Sequence, residues 1–352
     1  MTSLPHILSL SMLMLLMLPE APANAGVTGS FRYPLSNFSG PVPSQWARLA
    51  VDRERNEVYA LDRHKNDIRI FDEHGMEIYV FGEDFTSAAD IAIGDDGDIF
   101  ILTARYREST IYLCDYRGEK ASEIPIRNIP SEFADFRADR LVYQDGSLYL
   151  ADSNRLMAIV ADTTGSFKAG HDLKAALTRF SRDEGEEEEK LEEVAINGFA
   201  VDDQGNLLFT IPSLFAAFRL SPDGELEGFG RSGSGRGKFG VVAGITADEK
   251  GYIYVSDRLR CVVMVFDRDF SFQTEFGYRG ARPSNLIVPD DVDIDGEGNV
   301  YVAQAANRGV SVFRIAYERT IEIAEEQPGD FGLDSTPTRG ESPGVTQHHE
   351  DE

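Results

Sequence analysis

Six residues hold one equivalent position in a phrase that recurs along this chain. Arg48, Asp90, Arg140, Gly198, Gly244 and Asp291 each stand directly before an apolar-x-apolar segment. Two guanidiniums and two carboxylates gathered in one place could grip a small polar or anionic ligand, because arginine presents a planar fork of donors that fits a carboxylate. The same four could instead satisfy one another as ion pairs, which is the simpler expectation. Trp46, the only tryptophan, lies two residues before Arg48 and would flank the same place, as packing rather than as a sugar platform.

Other residues carry less. Asp62, Asp152 and Asp257 recur after a second apolar segment. Their repetition points to turn capping through backbone N–H groups rather than to a metal ring. Past the N-terminal region the histidines are His64, His74, His171, His348 and His349, scattered over unrelated positions. A zinc site needs several such ligands converging at ~2 Å from the metal, so none is expected. The run Gly228-Phe-Gly-Arg-Ser-Gly-Ser-Gly-Arg-Gly-Lys-Phe-Gly240 lacks the Lys-Ser/Thr and following helix of a phosphate-cradling loop. It reads as a long connection whose three basic residues make a contact surface.

The elements that must position these residues follow from the phrase itself. An apolar-x-apolar strand, a turn of Asp, Asn and Gly, and a second strand occur six times. Examples are Leu49-Ala-Val-Asp-Arg-Glu-Arg-Asn-Glu-Val-Tyr59 and Val292-Asp-Ile-Asp-Gly-Glu-Gly-Asn-Val-Tyr301. The turn anchors Asn56, Gly97, Gly146, Gly205, Gly251 and Gly298 fit tight hairpins that require positive φ. A third strand follows each hairpin, and a fourth strand often ends in Phe-Gly, as at Phe81-Gly82 and Phe276-Gly277. Apolar alternation has period two, which excludes helical solenoids. Four short antiparallel strands recurring at roughly forty to fifty residues make a propeller blade.

The predicted fold is therefore all-β, a six-bladed β-propeller of four-stranded antiparallel blades, with the six phrase-leading residues around the mouth of a central channel. Thr28-Gly-Ser-Phe-Arg-Tyr33 is expected to supply the fourth strand of the last blade, with Thr320-Ile-Glu-Ile323 as the competing choice. Cys114 and Cys261 are assigned to third strands of blades 2 and 5, opposite in the ring. They are too far apart for a disulfide, whose Cα atoms must lie within about 7 Å.

The repeats resemble NHL repeats in phrases such as Ile245-Thr-Ala-Asp-Glu-Lys-Gly-Tyr-Ile-Tyr-Val-Ser-Asp257 followed by Arg258-Leu-Arg-Cys-Val-Val-Met-Val-Phe-Asp267. Blades 2 and 4 depart from the pattern, with Thr103 and Ile211 where the Asp after the second strand would stand. The resemblance implies a propeller that hosts many functions. Among propeller relatives are amidating lyases, lactonases and paraoxonase-like hydrolases, which hold calcium or zinc in the central funnel.

Charge and the chain ends bound the function further. The 60 acids against 34 bases give a net charge of −26, which argues against nucleic acid, whose binding starts by neutralising phosphates, and against an anionic membrane surface. Half of that excess lies in the run Arg182 to Glu193 and in the tail from Glu325 to Glu352. Residues 1–25 read as a cleaved signal peptide: Ile7 to Leu18 is apolar but short, and Ala23-Asn24-Ala25 is a small-x-small cleavage pattern. The expected organisation is a propeller over 26–323 with an acidic insertion at 172–194, then an acidic disordered tail at 324–352. The expected function is an exported, non-enzymatic scaffold, periplasmic or extracellular. It would be a monomer with no span after signal cleavage, binding an envelope or extracellular protein or a ligand at Arg48, Asp90, Arg140 and Asp291. No cofactor is expected, calcium being the metal that funnel carboxylates would take. The competing expectation is a metal-dependent lyase or lactone hydrolase using Asp90 and Asp291.

Overall fold

The computed structural model describes residues 26–105, 108–183 and 193–317. The strands form six separate four-stranded antiparallel sheets. Blade 1 contains Arg48–Asp52, Glu57–Asp62, Asp67–Phe71 and Glu77–Phe81. Blade 2 contains Ala88–Ile93, Ile99–Arg105, Glu108–Cys114 and Lys120–Ile124, and blade 3 Arg140–Gln144, Ser147–Asp152, Met157–Asp162 and Phe167–Asp172. Blade 4 contains Phe199–Val201, Leu207–Ile211, Ala216–Leu220 and Leu226–Phe229. Blade 5 contains Val242–Ala247, Ile253–Asp257, Val262–Phe266 and Phe272–Phe276. The chain is a six-bladed β-propeller.

The ring closes through its beginning. Val27–Pro34 pairs antiparallel with Val310–Tyr317, outside Asn299–Gln304 and Pro289–Ile294, and so completes blade 6. That is the expected N-terminal strand; the competing segment 320–323 lies outside the described residues. Closure covers edges that would otherwise offer unpaired N–H and C=O groups. All six turn anchors adopt positive φ, from 54° at Asn56 to 88° at Gly298, as the hairpins demand.

Apolar side chains fill the spaces between neighbouring blades. Leu208 and Phe229 of blade 4 pack with Val255, Met264 and Phe266 of blade 5, and Leu49 and Phe71 of blade 1 with Tyr301 and Val312 of blade 6. The insertion contributes to this core. Its helix, Leu173–Asp183, buries Leu173, Ala176 and Leu177 against strands of blades 3 and 4. Asp172 Oδ1 caps it by accepting from the Ala175 amide at 2.9 Å. The expected acidic insertion thus opens with an apolar face at helical spacing, whereas its acidic run at 184–192 lies outside the described residues.

Candidate functional site

The innermost strands line a central channel of about 370 Å³. Their inner edges make no backbone ladder with one another, since each blade is its own sheet. Side chains stitch them instead. Asp90 of blade 2 accepts from its neighbour Ile91 at 3.1 Å and from the Leu141 amide of blade 3 at 2.9 Å. Asp291 of blade 6 accepts from Leu49 of blade 1 at 2.9 Å, and Asp293 from Val51 at 3.1 Å. Arg140 Nε donates to the Asn197 carbonyl ahead of blade 4 at 3.0 Å. Thr210 donates to the Ala243 carbonyl, and Ser256 to the Asp290 carbonyl at 3.1 Å.

This explains the two glycines in the predicted set. A Cβ on Gly198 would stand 2.4 Å from the Ala243 oxygen, and one on Gly244 2.8 Å from the Asp290 oxygen. Blades 4, 5 and 6 approach too closely there for any side chain.

Arg48, Asp90, Arg140 and Asp291 all line the channel at one mouth, together with charges that the sequence reading omitted. Three ion pairs form: Arg48 with Asp291 at 3.5 Å, Arg140 with Asp139 at 3.5 Å, and Arg258 with Asp290. Asp139 is further held by the Ser153 hydroxyl at 2.7 Å. Arg258 also donates to Asn197 Oδ1 at 2.9 Å and lies 5.3 Å from the centre of the Trp46 ring. Burial pushes the Asp90 carboxyl up to about 6, against the pull of Arg48 and Arg140. Burial raises Asp291 too, and lowers Arg140 to about 10, with repulsion from Arg48 adding to the effect.

One cation is left over. Arg63, in the turn after the second strand of blade 1, feels the field of Arg48, Asp90, Asp290 and Asp291. Its own guanidinium is lowered, first by desolvation and then by Arg48, and it has no hydrogen bond or ion pair among the described residues. Two further donors, Arg48 Nε and Asn197 Nδ2, are buried without acceptors among the described residues. The sequence did carry a signal for these residues. Arg63, Ser153 and Arg258 each directly follow a recurrent Asp, at 62, 152 and 257, and so share one register in the repeat.

Those recurrent Asp are caps. Asp62 accepts from the His64 and Lys65 amides, Asp152 from Arg155 and Arg137, and Asp257 from Leu259, Arg260 and Val241. Among the described residues no group of three or more His, Cys, Asp or Glu gathers in metal-binding fashion. Both cysteines are buried and free. Cys261 sits not in a third strand but in the turn before one, with φ 58°, at the register where blades 1 and 3 carry Asn66 and Leu156 with φ 54° and 55°. The glycine-rich run is the connection from blade 4 to blade 5, as read.

Comparison with known proteins bears on the fold. No family model and no curated protein matches the chain, so the NHL resemblance finds no counterpart there. Solved structures do match. One of unknown function from Bacteroides thetaiotaomicron has a TM-score of 0.60 at 15% identity, covering 82% of this chain and 76% of that one. A streptogramin B lyase has a TM-score of 0.53 at 13% identity, covering 84% and 100%. A gluconolactonase from Xanthomonas campestris has a TM-score of 0.53 at 14% identity, covering 84% and 92%. At these identities the likeness is one of fold.

Proposed function

We propose that this propeller is an exported scaffold of NHL type that binds a small carboxylate-bearing molecule at the arginine-lined mouth and holds it without turning it over. Arg63 carries the reading. Once the other arginines are paired, its fork is the one left to receive a carboxylate, with Trp46 and Arg258 beside the opening. The mouth carboxylates that chemistry would need are otherwise engaged, Asp90 by two backbone amides and Asp291 by Leu49 and Arg48. A charge-assisted pair of hydrogen bonds is worth about 1.5–3 kcal/mol, roughly ten- to a hundredfold in affinity.

Calorimetric titration with short mono- and dicarboxylates tests this. The expected result is saturable one-to-one binding that weakens at least about tenfold in Arg63→Gln, with melting unchanged because Arg63 makes no hydrogen bond or ion pair among the described residues for the variant to lose. Equal affinity in the variant, or no binding, overturns it. The raised Asp90 carboxyl favours a second reading, a lyase or lactone hydrolase with calcium held by Asp90 and Asp291. Tight calcium binding lost in Asp90→Asn would select it.

A further inference from the structure

The same face of blades 4 to 6 carries a second feature. Two neighbouring blade-to-blade connections are free of carboxylates: none occurs from Gly228 to Ala247, or from Phe276 to Pro289. They hold Arg231, Arg236, Lys238, Arg279 and Arg282, all exposed and none in an ion pair among the described residues. On a chain with 60 acids and 34 bases, five cations outside ion pairs, on connections that themselves hold no acid, form a concentrated positive area.

The connections are joined into one surface. Each is closed by a parallel bridge at the matching place, Ser232 with Phe239 and Arg279 with Leu286. The turn of blade 5 lies between them: Arg260 donates to the Lys238 carbonyl at 2.8 Å, and Arg279 to the Leu259 carbonyl at 3.1 Å. Arg308 of blade 6 supports the far side through the Arg282 carbonyl at 2.9 Å. Amid the cations stand two exposed apolar side chains, Leu259 at 59% and Tyr278 at 50%. Leu259 follows the Asp257 cap, whose bonds to Gly240, Val241, Leu259 and Arg260 fix the turn against the first connection.

We infer that this surface docks an acidic peptide segment of a partner protein, its carboxylates on Arg231, Arg236, Lys238, Arg279 and Arg282 and an apolar side chain between Leu259 and Tyr278. Charge complementarity sets the class of partner. Opposite charge steers encounter and suppresses wrong partners, and the aromatic and aliphatic pair supplies the desolvated anchor that rim charges lack. A nucleic acid fits worse, because the excess of acids elsewhere on the chain repels a long polyanion.

The test uses the full-length chain and a short fluorescent peptide of alternating glutamate and leucine, followed by anisotropy. The comparison probes are its glutamine counterpart and an oligothymidine. Expected are saturable binding of the acidic peptide that fades at high salt, much weaker binding of the glutamine peptide, and a loss of roughly tenfold or more in Arg279→Glu/Arg282→Glu. Arg117→Gln, in the exposed turn between the third and fourth strands of blade 2, should leave peptide affinity unchanged, which marks the loss as belonging to this surface. Four results overturn the inference: no saturable binding, equal binding of the glutamine peptide, unchanged affinity in the charge-reversed variant, or tighter binding of the oligonucleotide. A second variant, Arg231→Glu/Arg236→Glu, must reproduce the loss, and melting curves must match wild type in both.

Discussion

Asp90 joins two blades through its carboxylate oxygens, yet burial pushes its carboxyl up to about 6. A carboxyl raised in the folded state binds its proton more tightly there than in the unfolded chain. Its contribution is therefore full below the ordinary carboxylate range and is lost as pH rises through about 6. The difference from 3.8 is worth about 3 kcal/mol. Asp90→Asn removes the titration but leaves one of the Ile91 and Leu141 amides without an acceptor, a constant cost of about 1–3 kcal/mol. Denaturant melts from pH 4 to 7 should thus show wild type losing ground to the variant as pH rises; a gap independent of pH would refute this. The thiols give a second check at this scale. Cys114, pushed up to about 12 by burial, and the buried Cys261 should resist a disulfide-exchange reagent until the protein unfolds. Quick labelling of either in the native state would count against the packing. The repeat register made Arg48, Asp90, Arg140 and Asp291 legible in the sequence. Mutual pairing was the simpler expectation and holds for Arg48 with Asp291, but Arg140 pairs with Asp139, one residue before it, and Asp290 with Arg258 from another turn, contacts that the four positions alone do not show.

At the scale of elements, blade spacing is governed by what the innermost strands can tolerate. Gly244 faces the Asp290 carbonyl so closely that a methyl group must force blades 5 and 6 apart. Gly244→Ala should cost about 1–3 kcal/mol, the usual range for overpacking, and lower the melting temperature by several degrees. Gly146, whose would-be Cβ meets nothing within 4 Å, provides the contrast: Gly146→Ala carries only the strain of its φ of 68°. Calorimetry on both variants checks this, and an undisturbed Gly244→Ala would contradict the close approach. Strands and hairpins were legible because period-two alternation and Gly or Asn anchors are local signals. The sequence from Asp172 to Phe180 allows two helical turns, but the apolar face of Leu173–Asp183 acquires meaning only when blades 3 and 4 are there to receive it.

For the whole molecule, the ring depends on one strand brought from the other end of the sequence. Val27–Pro34 covers the edge of Val310–Tyr317, so a chain beginning at Leu35 should lose cooperative unfolding and aggregate through that edge; a monomeric, sharply melting truncation would refute the closure. The period gave the number of blades, and the N-terminal strand was foreseeable as an orphan fourth strand. That Arg63 is the mouth's surplus charge was not, because it stands out only after Arg48, Arg140 and Arg258 are paired. The most direct measurement is side-chain NMR of the arginine Nε–H groups during titration with a small dicarboxylate. The account expects Arg63 to shift and saturate while Arg260, held bidentately by Glu275, stays still. Shifts confined to Arg231, Arg236, Arg279 and Arg282, or none at Arg63, would contradict it.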